Sequence, residues 1–246
     1  MRIVLAFALS ASLVPAARGQ DAARALVEKA IQAHGGPVLD KYPAGRAKAK
    51  GTIVLKGSEY PFTLERIYQV PGKLRITSEV VIMGVARPVT CIINGNAVMA
   101  IAGGLTQELP RSQVAELRLA VHVQTIARLT PLLKDKAYKL APADEKTIEG
   151  KPADGLTVSA EGHKDVRLYF DRQTNLLVAI ERPGFDDLGK PAEHWEYFSD
   201  FREANGLKYP TKTLIKQNGK RYLESETTEF KPLEKVDSRE FQINPP

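Results

Sequence analysis

Cysteine is nearly absent from this 246-residue chain: Cys91 stands alone, so no intrachain disulfide can form, and burial must hold the fold together. Metal-binding patterns are missing as well. There is no Cys-x-x-Cys, and His34, His122, His163 and His194 each lack a second histidine or cysteine at the i+3 or i+4 spacing of a helical site, which argues against a bound metal. No Gly-x-Ser-x-Gly elbow exposes a serine, and Cys91 lies in an apolar strand where a thiolate is disfavoured. Phosphate cradles are lacking too: Gly103-Gly104 is an isolated pair, and Gly35-Gly36 follows a helix where a cradle would precede one. The expectation is a protein without cofactor and without catalysis. Charge of one sign is also scarce. Lys and Arg number 35 against 29 Asp and Glu, and the bases are scattered singly along strands, as on solvated faces and not as in a nucleic-acid groove.

What is present begins with an export signal. Arg2, the apolar stretch Ile3 to Val14 and the small-x-small exit Ala17-Arg18-Gly19 read as a secretory leader over residues 1–20, cleaved near Gly19 or Gln20, which implies a periplasmic protein. No cysteine stands at the cleavage point, so lipid attachment there is not expected. Without Arg2 and Arg18 the balance is 33 bases against 29 acids, a mild net charge of +4. No later apolar run reaches the ~20 residues of a spanning helix. Asp21 to His34 reads as a helix capped by Asp21 and stopped by Gly35-Gly36-Pro37.

From Arg46 the apolar period changes to two, and about a dozen candidate strands follow, with turn signals every ~8–12 residues. Asn94-Gly95 and Asn218-Gly219 mark tight hairpins. Around the second, a two-residue turn pairs Ile215 with Tyr222 and Leu214 with Leu223. Short connections demand antiparallel neighbours, and so many twisted strands tend to curl, with two stacked sheets as the alternative. Ser112 to Leu129 interrupts this pattern with helical spacing. Val114, Leu117, Val121 and Leu129 form one stripe and Leu119, Val123 and Ile126 another, as in a helix held between two apolar partners. Residues 231–246 read as a polar tail with one apolar clip at Phe241-Ile243 after a single domain over residues 21–230.

Several phrases occur together: Ala33-His34-Gly35-Gly36; Val166-Arg167-Leu168-Tyr169-Phe170-Asp171 followed by Asn175-Leu176-Leu177; Phe198-Ser199-Asp200-Phe201-Arg202; and Asn205-Gly206-Leu207-Lys208-Tyr209-Pro210. As a set they resemble the exported proteins of the superfamily of LolA, the outer-membrane lipoprotein carrier. That resemblance implies a mainly β fold with covering helices, a strongly curved antiparallel sheet forming an incomplete, half-open β-barrel, and an apolar cavity for acyl chains. It implies no catalytic residues, and it would make the helix at Ser112 to Leu129 a cover.

The functional expectation is a soluble periplasmic carrier or sensor for a lipid or lipid-modified protein. It would hold acyl chains in the cavity, make transient contact with a membrane surface, and meet a protein partner in the envelope. Burial of each methylene contributes ~0.8 kcal/mol against water, whereas exchange between a bilayer and an equally apolar pocket is nearly neutral. Candidate cavity contacts are Leu117, Val121 and Ile126 on the helix and Met83, Met99 and Trp195 on the walls. The alternative is a structural or interaction module of the cell envelope with a filled core. A third reading, an unrecognised hydrolase, would be revived by two or more of Asp171, Glu193, His194 and Glu196 converging in a cleft; strand alternation puts His194 and Glu196 on one face, as a satisfied surface pair.

Overall fold

The computed structural model describes residues 15–186 and 188–243, with side chains from Gly19 onward. Helix α1 spans Pro15–His34 and is followed by the short α2, Val38–Lys41. Six strands come next: β1 Ala44–Leu55, β2 Ser58–Gln69, β3 Lys73–Ile82, β4 Val85–Asn94, β5 Ala97–Ala102 and β6 Leu105–Gln107. Helices α3, Arg111–Ala127, and α4, Thr130–Lys134, separate these from seven more: β7 Tyr138–Ile148, β8 Lys151–Ala160, β9 Val166–Asp171, β10 Leu177–Phe185, β11 Pro191–Ala204, β12 Leu207–Gln217 and β13 Lys220–Leu233. Helix α1 begins earlier than the sequence suggested. Pro15 is acceptable in a first turn, and Asp21 lies inside the helix, not at its cap. The leader expected at residues 1–20 falls largely outside the described residues.

All thirteen strands form one sheet in the order β6-β5-β4-β3-β2-β1-β13-β12-β11-β10-β9-β8-β7, and every neighbouring pair is antiparallel. The first and last strands meet at its centre, and β6 and β7 are unpaired edges, so the sheet does not close. Tight turns account for the antiparallel order. Lys56-Gly57, Met83-Gly84, Glu149-Gly150, Asn205-Gly206 and Asn218-Gly219 all have both central residues at positive φ, the turn whose twist matches that of the strands. At the hairpin expected on Asn94-Gly95 the turn lies one residue later, because Asn94 pairs with Ala97 across Gly95-Asn96.

The sheet curls strongly. Seven strand steps separate β4 from β10, about 34 Å along a flat sheet, yet side chains of α3 pack against both. Leu117 and Val121 meet Tyr68, Leu74 and Ile93 on one wing, and Leu119, Val123 and Ile126 meet Leu168 and Ile180 on the other. A helix about 10–12 Å across can touch both only if the sheet bends around it. Part of the bend arises where β1 crosses β13. A Cβ on Gly51 would lie 1.9 Å from the Glu224 carbonyl oxygen, so only glycine permits this approach. Irregularities at Lys48/Ala49 in the β1–β13 pairing and at Ile215/Lys216 in the β12–β13 pairing add twist.

The second irregularity corrects the expected register: Ile215 pairs with Leu223 and Leu214 with Glu224. One extra residue shifts everything beyond it by one position, which the two-residue turn alone could not reveal.

Helix α1 buries Ala23, Val27 and Ala30 against β7–β10 and α3, in the cluster that holds Leu156, Leu168 and Phe170. Its end is pinned by His34. Nδ1–H donates to the Ala30 carbonyl at 2.8 Å, so Nε2 is free to accept the Leu177 amide at 3.4 Å. Gly35, at φ 130°, sits where a Cβ would be 2.4 Å from the Gly206 carbonyl oxygen. Three phrases that carried the sequence resemblance thus meet at one corner of the fold.

The segment after β13 crosses the convex face. Val236 and Phe241 are buried there against Ala44, Ile67 and Ile92, with Ile243 packed beside them. Glu240 pairs with Arg46 at 2.9 Å and Arg75 at 3.0 Å. The clip expected at Phe241-Ile243 forms, and Val236, unremarked in the sequence, extends it.

Candidate functional site

Strand alternation divides the sheet into a concave side, against which α3 lies, and a convex side. On the central strands, the concave side carries Ile53, Leu64, Val80, Ile215 and Leu223. All five are half-buried, and none is packed into a core cluster formed by the other apolar residues. They form an apolar floor, around the buried Phe62, that the chain's own side chains cover only in part.

At the β10–β11 end of this floor stands a charged node. Arg182, 6% exposed, donates from Nε to Glu196 at 3.0 Å and from Nη2 to Glu116 of α3 at 2.8 Å. The other Glu116 oxygen accepts the Phe185 backbone amide at 3.1 Å. His194, 3% exposed, donates from Nε2 to the Phe185 carbonyl at 3.0 Å, which leaves Nδ1 unprotonated, 3.8 Å from Glu116. Gly184 admits this crowding, because a Cβ there would lie 2.8 Å from Arg182 Nη1 and from Glu116 Oε2. Burial works against the charge of Arg182, but Glu196 and Glu116 overcome it and raise its pKa. Burial, aided by Arg182, pushes the His194 pKa down.

His194 and Glu196 therefore converge, but around Arg182 and buried, not as the surface pair that alternation suggested. Glu193 lies on the opposite face, where its amide donates to Asn218 Oδ1. Asp171 caps its own turn by accepting from the Gln173 and Thr174 amides. The node's carboxylates are occupied by a guanidinium and an amide, an arrangement suited to holding charge.

The middle of α3 has a second attachment. The His122 ring stacks on that of His163, from the β8–β9 turn, at 3.7 Å and 4°, with Tyr138 beyond. Burial, and then His163, lower the His122 pKa to about 4. Burial is also the main cause of the lowered pKa of His34. Histidines depressed in the folded state make the unfolded chain the better proton acceptor. Their contribution to stability is therefore complete above pH 6.5 and is lost as pH falls below it, for His122 down to about 4. Urea midpoints are expected to fall between pH 7 and pH 5, and less steeply in His122→Gln. Equal slopes in variant and wild type would show that His122 is not held neutral.

Two open grooves lie along the sheet, the smaller one reaching Arg182 and Gly184 of the node. One of about 440 Å³ includes Arg167, Glu181 and Glu193, and one of about 620 Å³ includes Lys50, Thr52, Thr63, Glu79, Glu224 and Glu226. Those side chains point to the convex face. Among the described residues no group of three or more His, Cys, Asp or Glu side chains could hold a metal ion. Cys91 is half-buried, and burial raises its pKa, in keeping with a structural thiol.

No protein-family model and no curated protein matches this sequence. Solved structures do. The LolA superfamily protein NE2245 from Nitrosomonas europaea superposes with a TM-score of 0.59 at 13% identity, covering 90% of this chain and 97% of the other. This chain has a LolA-like fold. A DUF1329 family protein from Desulfovibrio piger gives 0.59 at 11% identity over 91% and 97%, and a putative outer membrane lipoprotein-sorting protein domain from Vibrio parahaemolyticus gives 0.55 at 8% over 90% and 97%.

Within this LolA-like fold the six residues singled out from the sequence are dispersed. Leu117 and Val121 lie on the face of α3 toward the β2–β4 wing. Ile126 is fully buried among α1, α3 and the opposite wing. Met99 pairs with Ile92 and packs on the convex face beneath the C-terminal strap. Trp195 is convex as well, stacked between Tyr169 at 5.4 Å and Tyr197 at 5.7 Å, with Lys146 Nζ 4.8 Å from its ring. Met83 sits at the tip of the β3–β4 turn, 97% exposed. The concave floor consists of other residues, and Arg182 and Glu116 had no signal in the sequence beyond their charge. Alternation separates two faces but does not say which one a curled sheet turns inward.

Proposed function

We propose that this protein is an exported periplasmic carrier or sensor that holds the acyl chain of a lipid or lipid-modified protein between α3 and the concave sheet, without catalysis. The carrying observation is the floor: Ile53, Leu64, Val80, Ile215 and Leu223 face inward on a LolA-like half-barrel, yet remain only half-buried and outside the core clusters. Apolar groups in such a position contribute most when a guest removes them from water. Leu117, already half-buried on α3, supports the reading as the contact from above. Among the described residues no helix is long and apolar enough to cross a membrane, which is compatible with a carrier moving between surfaces.

Hand-over of the guest would use one end of the sheet. Met83, Val85, Leu105 and Leu188 are 97%, 50%, 70% and 64% exposed. Pairings Ile82–Val85 and Ala102–Leu105 set the first three at neighbouring tips, and the β10–β11 loop with Leu188 opens at the same end. Exposed apolar tips grouped in this way suit brief contact with a lipid surface.

The protein is expected to bind a fluorescent fatty acid at micromolar concentration and to release it to unlabelled fatty acid. Leu223→Arg, which sets a charge on the floor, should lower uptake at least about tenfold. Transfer of the probe to vesicles should slow in Met83→Asp with uptake unchanged. Absence of probe uptake by wild type, together with no lipid retained in native mass spectrometry, would leave the envelope module with a filled core as the better reading.

A further inference from the structure

The Glu116 carboxylate is held unlike the other members of the node. Glu196 belongs to the sheet and stands beside Arg182 whatever α3 does, whereas Glu116 arrives from the helix. One guanidinium serves two carboxylates, so the node carries excess negative charge, and the helix-borne carboxylate is the one that can leave. Its seat would then present two converging donors, Arg182 Nη2 and the Phe185 amide, now 2.8 and 3.1 Å from its oxygens. Both would lack a partner in a largely buried setting, which is costly unless another anion enters.

The seat also connects with the floor. Glu196 pairs with Ile215, Ile215 with Leu223 and Leu223 with Ile53, one concave row running from the node across three strand steps, about 14 Å. From these contacts we infer that the Glu116 seat is an anion subsite for the carboxylate or phosphate headgroup of a single-chain amphiphile, with Glu116 as its resident stand-in. The guest's headgroup replaces Glu116 on Arg182 and Phe185, its chain runs along the row toward Ile53, and the N-terminal half of α3 is released. This rests on the carrier reading and narrows it to anionic guests.

The test compares laurate, dodecyl phosphate and dodecanol as competitors of a fluorescent fatty acid on wild type and Glu116→Ala, whose Arg182 keeps Glu196 as partner; circular dichroism verifies the fold of the variant. Laurate is expected to bind wild type about tenfold more tightly than dodecanol, and Glu116→Ala to strengthen laurate about tenfold further with dodecanol changed less than about twofold. A parallel gain for dodecyl phosphate would support a phospholipid-type headgroup as well, and a gain for laurate alone a free fatty acid. Dodecanol binding as tightly as laurate in both proteins, or Glu116→Ala shifting all three equally, would overturn the subsite and leave the carrier standing. If none of the three binds either protein, the carrier reading falls and the subsite with it.

Discussion

Arg182→Met should cost about 3–5 kcal/mol of folding stability, because it removes the cation from between two carboxylates in a buried site. Glu116 and Glu196 would face each other across an apolar side chain, and α3 would lose its ion pair with β10. The expected result is a lowered urea midpoint with a largely unchanged slope. Adding Glu116→Gln and Glu196→Gln to Arg182→Met should recover at least half of the loss, since the penalty arises from stranded charge and not from missing volume. If the triple variant is no more stable than Arg182→Met, the node is not the electrostatic unit described. The same substitution in a surface pair such as Lys48–Glu229 should shift stability by less than about 1 kcal/mol.

Gly51→Ala has a comparable expected effect through sterics alone. Its new methyl group would lie 1.9 Å from the Glu224 carbonyl oxygen, a backbone atom that cannot swing aside. Either β1 and β13 separate at the centre of the sheet or the sheet flattens, and we expect a loss of at least about 3 kcal/mol. Gly57→Ala serves as the control, because a Cβ there meets nothing within 4 Å and only its positive φ is penalised. Thermal melts that place Gly51→Ala within about 4 °C of wild type would mean that β1 and β13 do not approach so closely.

Both variants act at places where sequence reasoning had little purchase. Gly51 reads as one more small residue in an alternating strand, and Arg182 as one more base on a solvated face. The X-Gly turns, by contrast, were legible, because φ > 0 is a local demand that few residues meet. The two apolar stripes of α3 were legible for a similar reason: a helix displays its partners' directions in its own periodicity. Helix and sheet thus emerged from local rules, and the phrases around His34, Gly35 and Gly206 pointed to a LolA-like fold that the superpositions show.

The site was less legible. Register at Asn218-Gly219 was misplaced by one residue because the irregularity at Ile215 is a property of two strands together. Met99 and Trp195 are expected on the cavity walls, but strand parity turns them outward.

By itself the sequence determined that this chain makes a meandering antiparallel sheet interrupted by a two-sided helix, since periodicity and turn chemistry depend on neighbours along the chain. Only the tertiary structure decided which face of that sheet is concave, which apolar residues stay half-buried on it, and that Arg182, Glu116, Glu196 and His194 meet. Those outcomes depend on how far the sheet curls, and curl accumulates over many strands from close approaches and irregularities that no single segment encodes.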